Sequence, residues 1–193
     1  IIHGEIEPDE GEIRLSGRVT SASDRAEGDI AMVHQELAVF ANMSVAENIF
    51  LGALPQGINW PRLNERARAL IERLGFDISP RTQVADLAVA HQQVVEIAKA
   101  LSRDVKAIVF DEPTAVLASG DAERLLEIIK GLRAEGVGIV YISHRLDEIY
   151  KIADRITVMK DGQRVGTVTP ASTPVEELIR MMVGRPLSQL FGD

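Results

Sequence analysis

The chain contains no cysteine, which removes disulfide frameworks, thiolate zinc sites, cysteine nucleophiles and redox chemistry through thiols. Histidine is scarce. His3, His34, His91 and His144 stand 31, 57 and 53 positions apart, so no pair has the i, i+3 or i, i+4 spacing of a local metal site. No uncharged stretch approaches the roughly 18 apolar residues that a membrane span needs, and the opening Ile1-Ile2-His3-Gly4-Glu5 has no signal-peptide character. Positive charge is in deficit: 21 Lys and Arg face 29 Asp and Glu, a net charge of -8. No whole-protein field therefore draws the chain to nucleic acid or anionic lipid, and no nucleic-acid partner is expected. An initiator methionine is also missing, so the first residues read as the middle of something longer.

What remains is ordinary globular material, 193 residues with 46% hydrophobic and 26% charged, enough for one domain with a real core. Glu12 to Leu15 alternates and Gly17 breaks it, which reads as a short strand pair. Ile30 to Val33 is a short apolar run ending on His34 and Gln35. Asn64 to Leu74 places Ala67, Leu70, Ile71 and Leu74 on one helical face, with Gly75 as the stop. A second helix is expected from His91 to Leu101. After it, Ala107 to Phe110 has the continuous apolar character of a strand buried on both faces, and it ends in Asp111-Glu112-Pro113. A helix from Asp121 to Glu135, stopped by Gly136, then leads to a second buried-type strand, Gly138 to Ile142, which ends at Ser143-His144. Strand, helix, strand with short links is a βαβ unit, and so predicts a parallel sheet. Asp161-Gly162, flanked by Arg155 to Lys160 and Gln163 to Thr169, predicts a hairpin because both turn residues tolerate positive φ. Thr173-Pro174-Val175-Glu176 predicts a helix start, and Gly184 its end.

Ligands of parallel sheets bind where the strands end. An apolar strand ending in Asp-Glu suits nucleotide hydrolysis: the aspartate can hold Mg²⁺ on the phosphates, and the glutamate can orient and deprotonate the attacking water. Here those residues are Asp111 and Glu112. His144, 32 positions after Glu112 at the next strand end, can hydrogen-bond the terminal phosphate, and the amide oxygen of Gln35 can contact Mg²⁺ or the water. Each feature alone is commonplace; their order and spacing are specific.

Together they resemble the Walker B motif, H-loop and Q-loop of the ATP-binding cassette (ABC) ATPases, over nearly all of the chain. Leu87-Ala88-Val89-Ala90-His91 stands where that family carries its L-S-G-G-Q signature, and the following helix resembles the post-signature helix. The segments His34-Gln35-Glu36-Leu37, Ser44 to Gly52 and Met181 to Leu187 resemble the ATPase subunits of bacterial sugar importers, which carry two cassettes in one chain. The resemblance implies an α/β fold, a P-loop NTPase-like ABC ATPase domain over 1–193 with a helical subdomain inserted at 36–103. It implies ATP and Mg²⁺ as ligands, with Asp111 and Gln35 at the metal. It implies Glu112 and His144 as catalytic residues, and Ala88, Ala90 and His91 as the segment that meets the γ-phosphate held by an opposite cassette. It also implies transmembrane permease subunits, docked near Phe40 to Gly52, a second cassette in the same full-length chain, and indirectly a periplasmic sugar-binding protein. The location implied is the cytoplasmic face of the inner membrane.

The departures are equally specific. All five lysines lack a preceding glycine, so the G-x-x-x-x-G-K-[ST] phosphate loop is missing. The domain therefore reads as N-terminally truncated, lacking an interior strand, with poor stability and no activity on its own. Ala88 replaces the signature serine, Ala90 its second glycine, and Ala118 the aspartate that couples paired sites. The expected function is ATP hydrolysis coupled to sugar import. The alternatives are a catalytically silent cassette supporting another site, or a non-transport ABC ATPase.

Overall fold

The computed structural model describes residues 2, 4, 6–21, 29–52, 58–103 and 105–183. The expected helix stop at Gly184 and the end of the Met181 to Leu187 resemblance lie outside them. The chain divides into two compact units, Ile1–Ile142 and Ser143–Asp193.

In the first unit, β1 (Arg14–Leu15) and β2 (Arg18–Val19) form a small antiparallel pair. It turns through Ser16 and Gly17, both at positive φ. The central sheet is parallel, in the order β3-β4-β5, from β3 (Ile30–Val33), β4 (Ala107–Asp111) and β5 (Gly138–Ile142). Val33 stands opposite Phe110, and Phe110 opposite Tyr141. Ile108, Val109 and Phe110 are buried, as an apolar run without alternation requires of a central strand. The third strand departs from its expected character. Val140 and Ile142 are 39% and 45% exposed, because only the face carrying Ile139 and Tyr141 is packed against the core.

Between β3 and β4 the described residues carry three α-helices: α1 (Val45–Phe50), α2 (Trp60–Arg73) and α3 (Val89–Leu101). The α1 helix was not anticipated, although its signal was local. Ser44 accepts from the Glu47 N–H while the Glu47 carboxylate accepts from the Ser44 N–H, a reciprocal capping box. The α2 helix starts four residues earlier than its apolar stripe, because Asn59 caps the Arg62 N–H and Pro61 fits the first turn. It buries Leu63, Ala67, Ile71 and Leu74, each large aliphatic side chain contributing about 1.5–3 kcal/mol relative to exposure.

The α4 helix (Ser119–Ala134) joins β4 to β5 and buries Leu125, Leu126, Ile129 and Leu132. The α2 and α4 helices both stop at their expected glycines in the same way. Gly75 and Gly136 take positive φ. Phe76 and Val137 N–H donate back to the Ile71 and Leu132 carbonyls, and the glycine N–H groups donate to Glu72 and Arg133. This is the Schellman arrangement.

The second unit holds α5 (Leu146–Ile152), the antiparallel pair β6 (Ile156–Lys160) and β7 (Gln163–Val168), and α6 (Val175–Val183). Asp161 and Gly162, with φ of 48° and 75°, make the hairpin turn. Ile156, Val158 and Leu178 form its small core with Leu146 and Ile149 packed alongside. Among the described residues, no helix is long and apolar enough to cross a membrane.

Candidate functional site

The parallel register brings three of the expected residues to one edge of the first unit's sheet. Val33 is paired with Phe110, so the chain leaves β3 into His34-Gln35 beside the point where β4 ends in Asp111-Glu112. Adjacent strands lie about 4.8 Å apart. Asp111 is still within the ladder, opposite Ile142, and the Glu112 N–H donates to the Ile142 carbonyl at 2.9 Å. Asp111 and Glu112 are half-buried and Gln35 is exposed. Glu112 has a φ of 46°, a left-handed conformation that a residue with a Cβ adopts at a cost and that is concentrated at functional sites. The turn that follows is fixed by the Ala115 N–H on the Glu112 carbonyl and by buried Pro113 and Thr114. His144 belongs to the second unit, where it is exposed and followed by Arg145, whose N–H donates to Ser143 Oγ.

Ala88, Ala90 and His91 lie together at the start of α3. Ala88 is the N-cap and gives no side-chain hydrogen bond, so the first N–H groups of the helix keep their positive end available to an anion. His91 does not point into open space. Its ring meets Phe76 edge-on, at 5.7 Å between centroids and an interplanar angle of 83°. The Arg124 guanidinium of α4 lies 3.8 Å from the Phe76 ring centre and donates to the Gly75 carbonyl. A histidine at this position is thus accommodated by an aromatic and cation–π stack that joins α3 to α4.

The oxygen set fits Mg²⁺. That ion takes one or two carboxylates and completes its shell with water and substrate phosphates, and here one carboxylate, Asp111, and one amide, Gln35, leave the same sheet edge. Among the described residues, no group of three acidic or histidine side chains offers a cage for a metal.

Sequence reasoning missed the groups that hold the Gln35 loop. The Asn48 side chain, 1% exposed, accepts from the Phe40 N–H at 2.7 Å and donates to the Phe40 carbonyl at 3.0 Å. Glu96 on α3, 6% exposed, accepts from the Ala38 N–H at 2.9 Å. Burial pushes its carboxyl above the ordinary range, against the opposing pull of the Ala38 N–H, Lys99 and His34. A polar residue on the apolar face of a helix was the available signal for Glu96.

The fold is that of an ATP-binding cassette. Among solved structures, cbiO1 of Clostridium perfringens, part of the cbiONQ ABC transporter complex, superposes with a TM-score of 0.77 at 22% identity, over 98% of this chain and 78% of that one. A dimeric ATP-binding cassette in a post-hydrolysis state with ADP and Pi gives 0.74 at 22% identity, over 88% of this chain and 77% of that one. The profile of the ABC transporter family matches residues 1–115, and the chain belongs to that family. It is 58% identical over 195 residues to a ribose import ATP-binding protein, RbsA 3, of Rhizobium meliloti (strain 1021), covering 99% of this chain and 38% of the relative. It is 48% identical over 196 residues to the ribose import ATP-binding protein RbsA of Chelativorans sp. (strain BNC1), covering 100% of this chain and 39% of the relative. The chain thus spans less than two-fifths of the length of these curated relatives.

Proposed function

We propose that this chain binds and hydrolyses ATP to drive the import of a sugar, as the names of its ribose-import relatives suggest. The observation that carries the reading is the shared sheet edge in a member of the ABC family: Gln35 leaves β3 beside Asp111-Glu112 at the end of the buried central strand. Glu112 is the general base that takes the proton of the attacking water, and its left-handed backbone sets it just past the ladder that Asp111 still occupies. Asp111 and Gln35 hold Mg²⁺, which neutralises charge on the phosphates. His144 contacts the γ-phosphate. Ala88, Ala90 and His91 at the head of α3 meet the nucleotide held by a second cassette of the same full-length chain.

The partners on this reading are transmembrane permease subunits, docked along Phe40 to Gly52, where Phe40 is 55% exposed. A periplasmic sugar-binding protein acts indirectly. The place of work is the cytoplasmic face of the inner membrane, with residues 36–103 as the helical subdomain. The test is Glu112→Gln in the complete natural polypeptide that contains these residues: turnover is lost and nucleotide binding kept, whereas unchanged turnover overturns the assignment. A second reading, a silent cassette that supports another site, is favoured by the uncapped alanine starts of α3 and α4, at Ala88 and Ala118.

A further inference from the structure

The loop that carries Gln35 has no regular structure of its own between β3 and α1, yet its main chain is gripped twice, each time at both polar groups of a single residue. Asn48 takes the N–H and carbonyl of Phe40. Glu96 and Lys99 take those of Ala38: Glu96 Oε1 accepts from the Ala38 N–H at 2.9 Å, and Lys99 Nζ donates to the Ala38 carbonyl at 3.2 Å. The first grip is local, eight residues apart. The second joins positions 58 and 61 residues apart.

We propose that Glu96 and Lys99 are positioning residues for Gln35, fixing its loop to helix α3 so that Gln35 moves with the helix whose first turn carries Ala88, Ala90 and His91. The geometry makes the coupling short. Gln35 is three residues from Ala38, a reach of at most about 11 Å. Glu96 is eight residues from the helix cap at Ala88, roughly 12 Å along a continuous helix. A shift of the α3 start, where an opposite nucleotide would be met, therefore reaches Ala38 through a continuous helix and two side-chain hydrogen bonds, three residues from Gln35. Glu96 is suited to this because it is buried, its second oxygen has no hydrogen-bond partner among the described residues, and a main-chain N–H is the donor it holds. Either the acid or its amide presents the acceptor that matters; an apolar side chain does not.

The inference rests on the proposed nucleotide reading for what Gln35 does, and its test separates the two. In the complete polypeptide, hydrogen–deuterium exchange is followed in residues 34–40, with Ile108–Phe110 of the central strand as a control. Glu96→Leu is expected to speed exchange in the loop about tenfold and Lys99→Met severalfold, with the control unchanged. Glu96→Gln, which keeps the acceptor, retains loop protection. Loop exchange at the wild-type rate in both Glu96→Leu and Lys99→Met overturns the clamp. For the link to Gln35, Glu96→Leu is expected to lower kcat about tenfold with little change in KM for MgATP, and to cost nothing further on a Gln35→Ala background. Additive losses overturn action through Gln35. A wild-type protein that turns over no ATP defeats the proposed function, and the exchange measurement still decides the clamp.

Discussion

Two pairs of helices in the first unit begin differently. The α1 and α2 helices start on Ser44 and Asn59, whose side chains accept from the Glu47 and Arg62 N–H groups. The α3 and α4 helices start on Ala88 and Ala118, which offer no such bond. The orphan N–H groups of a helix start must be satisfied by side chains, water or a ligand. The first pair close that account internally and serve the packing of the inserted helical segment. The second pair have no capping side chain, at the signature-like segment and at the end of the turn that follows Glu112, and only α4 carries an acidic residue, Asp121, in its first turn. The difference separates helix starts closed by their own cap residue from starts that no cap side chain closes.

The sharpest test of the open pair is also the one of largest effect. Glu112→Gln, in the turn leading to α4, is expected to lower steady-state ATP turnover by about 10²–10⁴-fold, with nucleotide binding retained in a filter or fluorescence titration. On the closed side, Asn48→Leu in α1 removes both bonds of a buried amide to the Phe40 main chain and is expected to cost about 1–3 kcal/mol of unfolding free energy, read from the urea midpoint. A loss below half a unit on that scale would show the grip to be redundant.

Exchanging the caps addresses the comparison itself. Ser44→Ala and Asn59→Ala are each expected to destabilise by about 1 kcal/mol, and Ala118→Ser to stabilise by a similar or smaller amount. If Ala118→Ser left stability unchanged, the start of α4 would already be satisfied and the contrast would fail there.

The smallest effect is one of pH. Two glutamates on these helices are shifted oppositely: Glu47 is held below its ordinary value by the Ser44 hydroxyl and N–H, and Glu96 is raised by burial. Glu47 contributes stability present above the ordinary value of 4.5 and lost as pH falls through its lower folded value. For Glu96 the sign reverses. The folded state holds its proton more tightly, so stability falls as pH rises from 4.5 through the raised folded value and then levels off. The difference in melting temperature between wild type and Glu96→Gln is therefore expected to change by a few degrees across that window, in favour of the amide at higher pH. A difference that is flat with pH would remove the burial argument for Glu96.

Much of the fold was legible because its signals are local. The strands Ile30–Val33 and Gly138–Ile142 have the expected bounds, and the stops at Gly75 and Gly136 follow from the left-handed conformation that glycine adopts freely. The missed or misplaced features, helix α1 and the early start of α2, had local signals too, in Ser44-x-x-Glu47 and Asn59-Trp60-Pro61. The exposure of Val140 and Ile142 was not legible, because an apolar run looks the same whether or not a helix covers its second face.

By itself the sequence determined the element order and the chemistry on offer: a carboxylate pair ending an apolar strand, a glutamine ending another, and alanines where hydroxyl and acid would be expected. Periodicity, capping and turn preference act over a few residues and can be read along the chain. Only the tertiary structure decided that β3 and β4 pair in register, so that Gln35 and Glu112 leave one edge. It also decided that the loop following Gln35 is held by a carboxylate 58 residues away. Such a contact depends on helix packing around a shared core, and no local propensity encodes it.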